Sequence, residues 1–193
     1  MDAIRLAWSA RGVSTVVGSF GTFASDVDSL LASLVLPVLK ERPTLGMILI
    51  GRGGEQSAER WVRTHPELDG RVVATGACGA GDISRHLQSA DVLVQPYPGG
   101  VCGKRGSLMA GIAHGRPTLT TSGLVTEPLW GRSEAVVLSD EAGFAQAQPL
   151  LEALLDDPEA RTRVGRAGRA LYDSQFDVRY TLEALSCPKP WTS

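Results

Sequence analysis

Between Asp91 and Thr121 the chain reads DVLVQPYPGGVCGKRGSLMAGIAHGRPTLTT. An apolar run, Val92 to Val94, stops at Pro96. It gives way to a loop carrying Gly99, Gly100, Gly103 and Gly106 beside two adjacent cations, Lys104 and Arg105, and a helical pattern resumes from Ser107. Glycines at 100, 103 and 106 let a backbone turn sharply and present N–H groups, which suits an anion. Lys104 would act on a phosphate as a point charge and Arg105 as a bidentate fork. Each charge-assisted hydrogen bond is worth on the order of 1.5 to 3 kcal/mol when desolvated. A solvated surface loop accounts for the same residues without any ligand. The loop is also a near miss to a P-loop, which needs Gly at 98 and Ser or Thr at 105. Pro98 and Arg105 stand there instead, so an ATPase would lack its magnesium ligand.

Two further glycine-rich turns invite chemistry more weakly. Gly51-Arg52-Gly53-Gly54 hints at a dinucleotide fingerprint, but Gln56 and Ser57 follow where a third glycine should open the helix. A tight turn bordering a ligand is the plainer reading. Gly18-Ser19-Phe20-Gly21-Thr22 carries two glycines, and no Lys or Arg occurs between Arg11 and Lys40. Any phosphate near it would meet only backbone N–H groups and the Ser19 or Thr22 hydroxyls. Arg163, Arg166 and Arg169 recur three apart and read as one solvated helix face. His65, His86 and His114 are far apart with no His-x-x-x-His pair, so a metal site is not expected. His114 ends the helix that leaves the key loop, where a helix C-terminus favours an imidazolium. Thr126 and Glu127 read as the N-cap and first-turn acid of a short helix through Trp130. No Ser-His-Asp order, G-x-S-x-G elbow or paired-carboxylate motif is present.

The elements that must position these residues alternate in period. Strand runs at Val13–Val17, Leu45–Ile50, Val72–Thr75, Val92–Gln95, Thr118–Thr121 and Ala135–Leu138 alternate with helical patterns. The clearest helix face is Val27, Leu30, Leu31, Leu34, Val35 and Val38; further helices are expected over Ala58–Thr64 and Ile83–Ser89. Continuous Val, Ile and Leu runs between helices mean strands buried on both faces, hence an α/β fold with a doubly wound parallel sheet of six strands. After residue 140 only helical patterns remain, Glu141–Leu155, Pro158–Tyr172 and Val178–Leu185, with Pro158 suited to a first helical turn. Residues 1–12 read as a linker or a short frayed helix, 13–186 as one domain, and 187–193 as a loose tail. In such sheets ligands sit where loops leave the carboxyl ends of the strands.

Composition limits the partners. At 193 residues the chain can bury roughly 70% of its unfolded surface. A net charge of −2 gives no overall cationic field, so neither nucleic acid nor an anionic membrane is an expected partner. No apolar run approaches a membrane span and the first residues lack the apolar stretch of a signal peptide, so a cytoplasmic location is expected. Cys78, Cys102 and Cys187 are odd in number and widely spaced, which suits reduced thiols.

Taken in order, these pieces resemble a known family. Val16-Val17-Gly18-Ser19-Phe20, Leu49-Ile50-Gly51-Arg52-Gly53, Ala90-Asp91-Val92-Leu93-Val94-Gln95-Pro96, Ala110-Gly111-Ile112-Ala113-His114-Gly115-Arg116-Pro117, Gly123 to Glu127 and Asp157-Pro158-Glu159-Ala160-Arg161 succeed one another as in the carboxyl-terminal half of family-4 glycosyltransferases. The resemblance implies the GT-B architecture: a Rossmann-like donor-binding domain with helices on both faces and a helical C-terminal tail, to which an amino-terminal acceptor domain or subunit would belong. It implies a nucleotide-diphosphate sugar as donor substrate, no further cofactor and no metal, with any peripheral membrane association made through the missing half.

The resemblance also assigns roles. Gly18, Ser19, Phe20 and Gly21 would border the phosphates or the sugar, Gly51 would border the ligand, and Ala77 to Gly81 would lie near the base. Gly99, Gly100, Gly103, Gly106 and Ser107 would cradle the diphosphate, with Lys104 and Arg105 stabilising it as it leaves. The family's two glutamates eight residues apart fall here on Cys102 and Ala110, neither of which accepts from a ribose hydroxyl as a carboxylate does. A subset of the family carries a loop similar to Gly100-Val101-Cys102-Gly103-Lys104-Arg105. Little turnover is expected of this half alone, because positioning the acceptor supplies much of the rate. A non-catalytic Rossmann-like interaction module is the alternative. A GT-B sugar-nucleotide epimerase is a lesser one, for want of a general base in these loops.

Overall fold

The computed structural model describes residues 3–140 and 144–186. Helix α1 (Ala3–Ser9) leads into strand β1 (Thr15–Phe20), and five crossovers follow: α2 (Ser25–Glu41), β2 (Leu45–Ile50), α3 (Gly54–Thr64), β3 (Val72–Gly76), α4 (Ala80–Ser89), β4 (Val92–Gln95), α5 (Gly106–Ala113), β5 (Thr118–Ser122), the short α6 (Pro128–Arg132) and β6 (Val137–Asp140). The six strands form one parallel sheet in the order β3-β2-β1-β4-β5-β6. This is the doubly wound Rossmann-like α/β arrangement that the alternating periods predict.

Apolar identity explains the layers. β2 and β4 are buried along their whole length. One core cluster joins the sheet to Leu31, Leu34, Val35 and Val38 of α2 and to Trp61 of α3. Two smaller clusters lie around Trp8, Ile48, Leu87 and Leu93, and around Leu108, Ile112 and Trp130. α1 is tied down by the buried Trp8 and by Arg5, which pairs with Asp91 at 2.8 Å; Asp91 also accepts from the Val16 N–H at 2.7 Å.

Boundaries moved where periodicity is silent. β1 begins two residues later than expected because the Val13 N–H closes a turn on the Trp8 carbonyl (3.1 Å), and it runs on through Gly18 to Phe20. α3 and α4 start at Gly54 and Ala80, their first turns being polar and so without an apolar signature. β6 starts at Val137, with Ala135 and Val136 buried in the approach to it.

The closing segment is helical: α7 (Phe144–Asp156), α8 (Pro158–Leu171), a π-helical turn (Tyr172–Phe176) and α9 (Val178–Ser186). Pro158 opens α8, and Asp157 caps it by accepting from the Glu159 and Ala160 N–H groups, each at 2.9 Å. The expected start of α7 at Glu141, the loose tail 187–193 and Cys187 lie outside the described residues. Among the described residues no helix is long and apolar enough to cross a membrane.

Candidate functional site

A parallel sheet brings the carboxyl ends of its strands to one edge. β1 and β4 are neighbours at the centre of this sheet, and their crossovers lead away in opposite directions, to β2 and to β5. They pair at Val17↔Val92 and Gly18↔Leu93. Two adjoining cavities open at this edge, sharing Phe20, Gly21, Thr22, Gly106 and Ser107. The larger, about 570 Å³, is walled further by Gly51, Arg52, Ala77, Cys78 and Ile83. The smaller, about 280 Å³, takes Ser19, Gln95, Tyr97, Lys104 and Arg105. A crevice at the switch point of an open sheet is where this topology binds ligands.

The shared wall is the N-terminus of α5, whose N-cap residue Arg105 makes no side-chain cap bond. Its first N–H groups have no partner within the helix, and the aligned peptide dipoles make this end electropositive. Arg105 lies with its guanidinium carbon 4.8 Å from the centroid of the Tyr97 ring, and its Nη2 donates to the Pro98 carbonyl at 3.4 Å. Lys104 is exposed. Tyr97 is buried; its N–H donates to Thr121 Oγ1 (2.8 Å) and its hydroxyl meets Ser107 Oγ (2.7 Å). Burial pushes its hydroxyl up to about 12, against the opposing influence of Ser107, Arg105 and the Leu108 backbone, so it stays protonated at neutral pH.

The glycine-rich loop is held differently from the expected cradle. Its backbone donors are engaged internally: Gly100 N–H to the Tyr97 carbonyl (2.9 Å), Val101 N–H to the Thr121 carbonyl (2.8 Å) and Gly103 N–H to the Glu127 carboxylate (2.8 Å). Gly99, Gly100 and Gly103 therefore shape the loop rather than line either cavity, and the anion-facing part contracts to Lys104 through Ser107. Gly100 has φ +97°, and a Cβ there would run into Thr126 and Gly123.

Gly18 is likewise apart from the site. It lies inside β1, where a Cβ would meet Leu93 and Ala90. Ser19, Phe20 and Gly21 do reach the cavities, as do Gly51 and Ala77. Gly51 has φ +117°, and a Cβ on it would strike the Gly21 carbonyl, so only glycine lets these two strand ends meet.

Glu127 does not serve as the first-turn acid of a helix capped by Thr126. It occupies the N-cap position of α6 with no side-chain cap bond, and its carboxylate instead accepts from Gly103 N–H and from the buried Trp130 indole at 2.7 Å. Thr126 Oγ1 accepts from the Gly123 N–H. His114 lies at the other end of α5, its Nδ1 donating to the Ala110 carbonyl and its Nε2 facing Ser84 Oγ.

Near it a second cleft gathers Arg116, Arg161, Arg166 and Arg169. Three of these donate to carbonyls at the ends of helices: Arg116 to Ala90, Arg161 to Leu154 and Leu155, Arg169 to Ala113. Their charge complements helix C-termini. Among the described residues no cluster of His, Cys, Asp and Glu is placed to hold a metal ion.

Arg52, Gln95 and Tyr97 line the two cavities although the sequence reading gave them no role. Arg52 was legible only as part of a turn. Gln95 carried a signal: a polar residue closing a fully apolar strand.

Sequence and structure comparisons agree with this fold. The family model of the glycosyl transferases group 1 matches residues 12–156. No curated protein matches the sequence. The fold is that of the C-terminal domain of the group 1 glycosyl transferase LpcC from Francisella tularensis, at a TM-score of 0.68 and 15% identity over 92% of this chain and 95% of that domain. It is similar too to HepE from Anabaena, solved with UDP and glucose, at 0.70 and 18% over 95% of this chain and 51% of that one. A glycosyltransferase from Rickettsia africae gives 0.72 and 10% over 93% and 49%. The chain thus spans about half the length of these last two proteins.

Proposed function

Because the chain belongs to the glycosyl transferases of group 1, we propose that it binds the nucleotide-diphosphate sugar donor of a glycosyl transfer, as the carboxyl-terminal half of a GT-B enzyme. The reading rests on the N-terminus of α5, left without a cap bond from Arg105, standing between two cavities, with Lys104 and Arg105 at one and Arg52 at the other. In this reading the larger cavity, walled by Gly51, Ala77, Cys78 and Ile83, takes the nucleoside, and the smaller takes the diphosphate. HepE, of the same fold, has been solved with UDP-glucose, which supports a nucleotide sugar as ligand.

The chemistry asked of the residues is electrostatic. Cleavage of the bond from the sugar's anomeric carbon to the diphosphate leaves negative charge on the departing oxygen. Lys104, Arg105 and the α5 N–H groups are preorganised for that charge and lower the barrier as it develops. Tyr97 holds Arg105 by its ring and Ser107 by its hydroxyl, fixing both without adding a charge. Acceptor recognition is assigned to a second, amino-terminal half.

Titration of the folded chain with UDP, GDP and ADP tests the reading. One of them binds at micromolar to millimolar concentration, and the pair Lys104→Ala with Arg105→Ala weakens it without unfolding the protein. Absence of binding by all three at millimolar concentration favours a non-catalytic module, a second reading supported by Cys102 and Ala110 standing where the family resemblance expects carboxylates.

A further inference from the structure

β4 ends on a glutamine that an apolar strand does not require. Gln95 is only 3% exposed, and a buried amide must find partners for both of its ends. One end is satisfied within the fold: Oε1 accepts from Ser19 Oγ on β1 at 3.3 Å. The other is not, since Nε2 has no hydrogen-bond partner among the described residues. Gln95 and Ser19 both line the smaller cavity, just beyond the point where the pairing of β1 with β4 stops. The Nε of Arg105, which lines the same cavity, is a second buried donor without a partner among the described residues. Both orphan polar atoms at this cavity are donors, so its complement is a ligand rich in acceptor oxygens.

We propose that Gln95 Nε2 is a neutral hydrogen-bond donor to the outer phosphoryl group of the nucleoside diphosphate, the amide oxygen being engaged by Ser19 Oγ. This assignment rests on the donor-site reading above and adds to it a residue beneath the cations. Lys104 and Arg105 supply charge from the cavity's rim and stacked wall; Gln95 supplies direction from its floor. A neutral donor can be buried there before the ligand arrives at far less cost than a third cation. It favours the diphosphate over a monophosphate by geometry.

Calorimetric titration of the full chain tests this, using whichever of UDP, GDP or ADP binds and the corresponding monophosphate. Gln95→Met, which keeps the volume and removes the donor, weakens diphosphate binding by about tenfold and leaves the monophosphate within twofold. Gln95→Asn, which withdraws the amide by one methylene, gives the same pattern and stands in should Gln95→Met not fold. A diphosphate loss below fivefold in a folded variant overturns the assignment, as does an equal loss for the monophosphate. Weakening of UDP-glucose with UDP unchanged overturns it too, since the amide would then read the sugar. Failure of the folded wild-type chain to bind any of the three nucleotides defeats the donor-site reading itself, which separates the two failures.

Discussion

Lys104 and Arg105 are adjacent in sequence but unequal in setting. Arg105 is half-buried against Tyr97, whereas Lys104 is exposed and screened by solvent. Arg105→Ala is therefore expected to cost on the order of 1.5 to 3 kcal/mol of nucleoside diphosphate binding, roughly tenfold to a hundredfold. Lys104→Ala costs only about threefold. Calorimetry on the two single variants checks the ranking, and equal losses contradict it. Tyr97 gives a pH signature. Its hydroxyl is held at about 12 in the fold against an ordinary 10.0, so folding favours the protonated form. That stabilisation is complete below pH 10 and is lost as pH rises toward 12, by roughly 2 to 3 kcal/mol. Denaturant unfolding between pH 9 and 11.5 should show wild type losing stability relative to Tyr97→Phe; parallel curves contradict the burial argument.

Among the elements, the loop from Tyr97 to Gly106 is fixed from outside by Glu127, whose carboxylate holds both Gly103 N–H and the Trp130 indole. Trp130 is 1% exposed, so removing its acceptor leaves a buried donor unpaired. Glu127→Ala should cost about 1 to 3 kcal/mol of stability and speed amide exchange at Gly103, with melts and hydrogen exchange as readouts. Unchanged exchange at Gly103 contradicts the clamp. This contact was not legible in the sequence: a Glu just ahead of Pro128 looks like a helix-start acid, and only the fold brings residue 103 beneath it. The strands were legible because burial on both faces makes continuous apolar runs, as in Leu45–Ile50. The starts of α3 and α4 were not, since polar first turns carry no period. The glycine loop was legible as a site but not in its working. Sequence shows where N–H groups can be presented, not that Tyr97, Thr121 and Glu127 already accept them.

For the whole molecule, the parallel sheet gathers Ser19, Gly51, Ala77, Gln95 and Lys104 through Ser107 at one edge, and a nucleotide bound there would be coupled to the folding of that edge. A nucleotide at a hundred times its dissociation constant adds about 2.7 kcal/mol, which for a chain of this size raises the melting midpoint by roughly 5 to 10 °C. A scan with and without UDP, GDP and ADP reads this. No shift for any of them contradicts a preformed site. Transfer to an acceptor is expected only when the other half is supplied. The claim that matters most is where the nucleotide sits, and amide chemical-shift mapping of the labelled chain during a nucleotide titration measures it. The largest shifts are expected at Gly21, Gly51, Ala77, Gly106 and Ser107. Shifts centred on the arginine cleft around Arg116 and Arg166, or none at millimolar nucleotide, would contradict it.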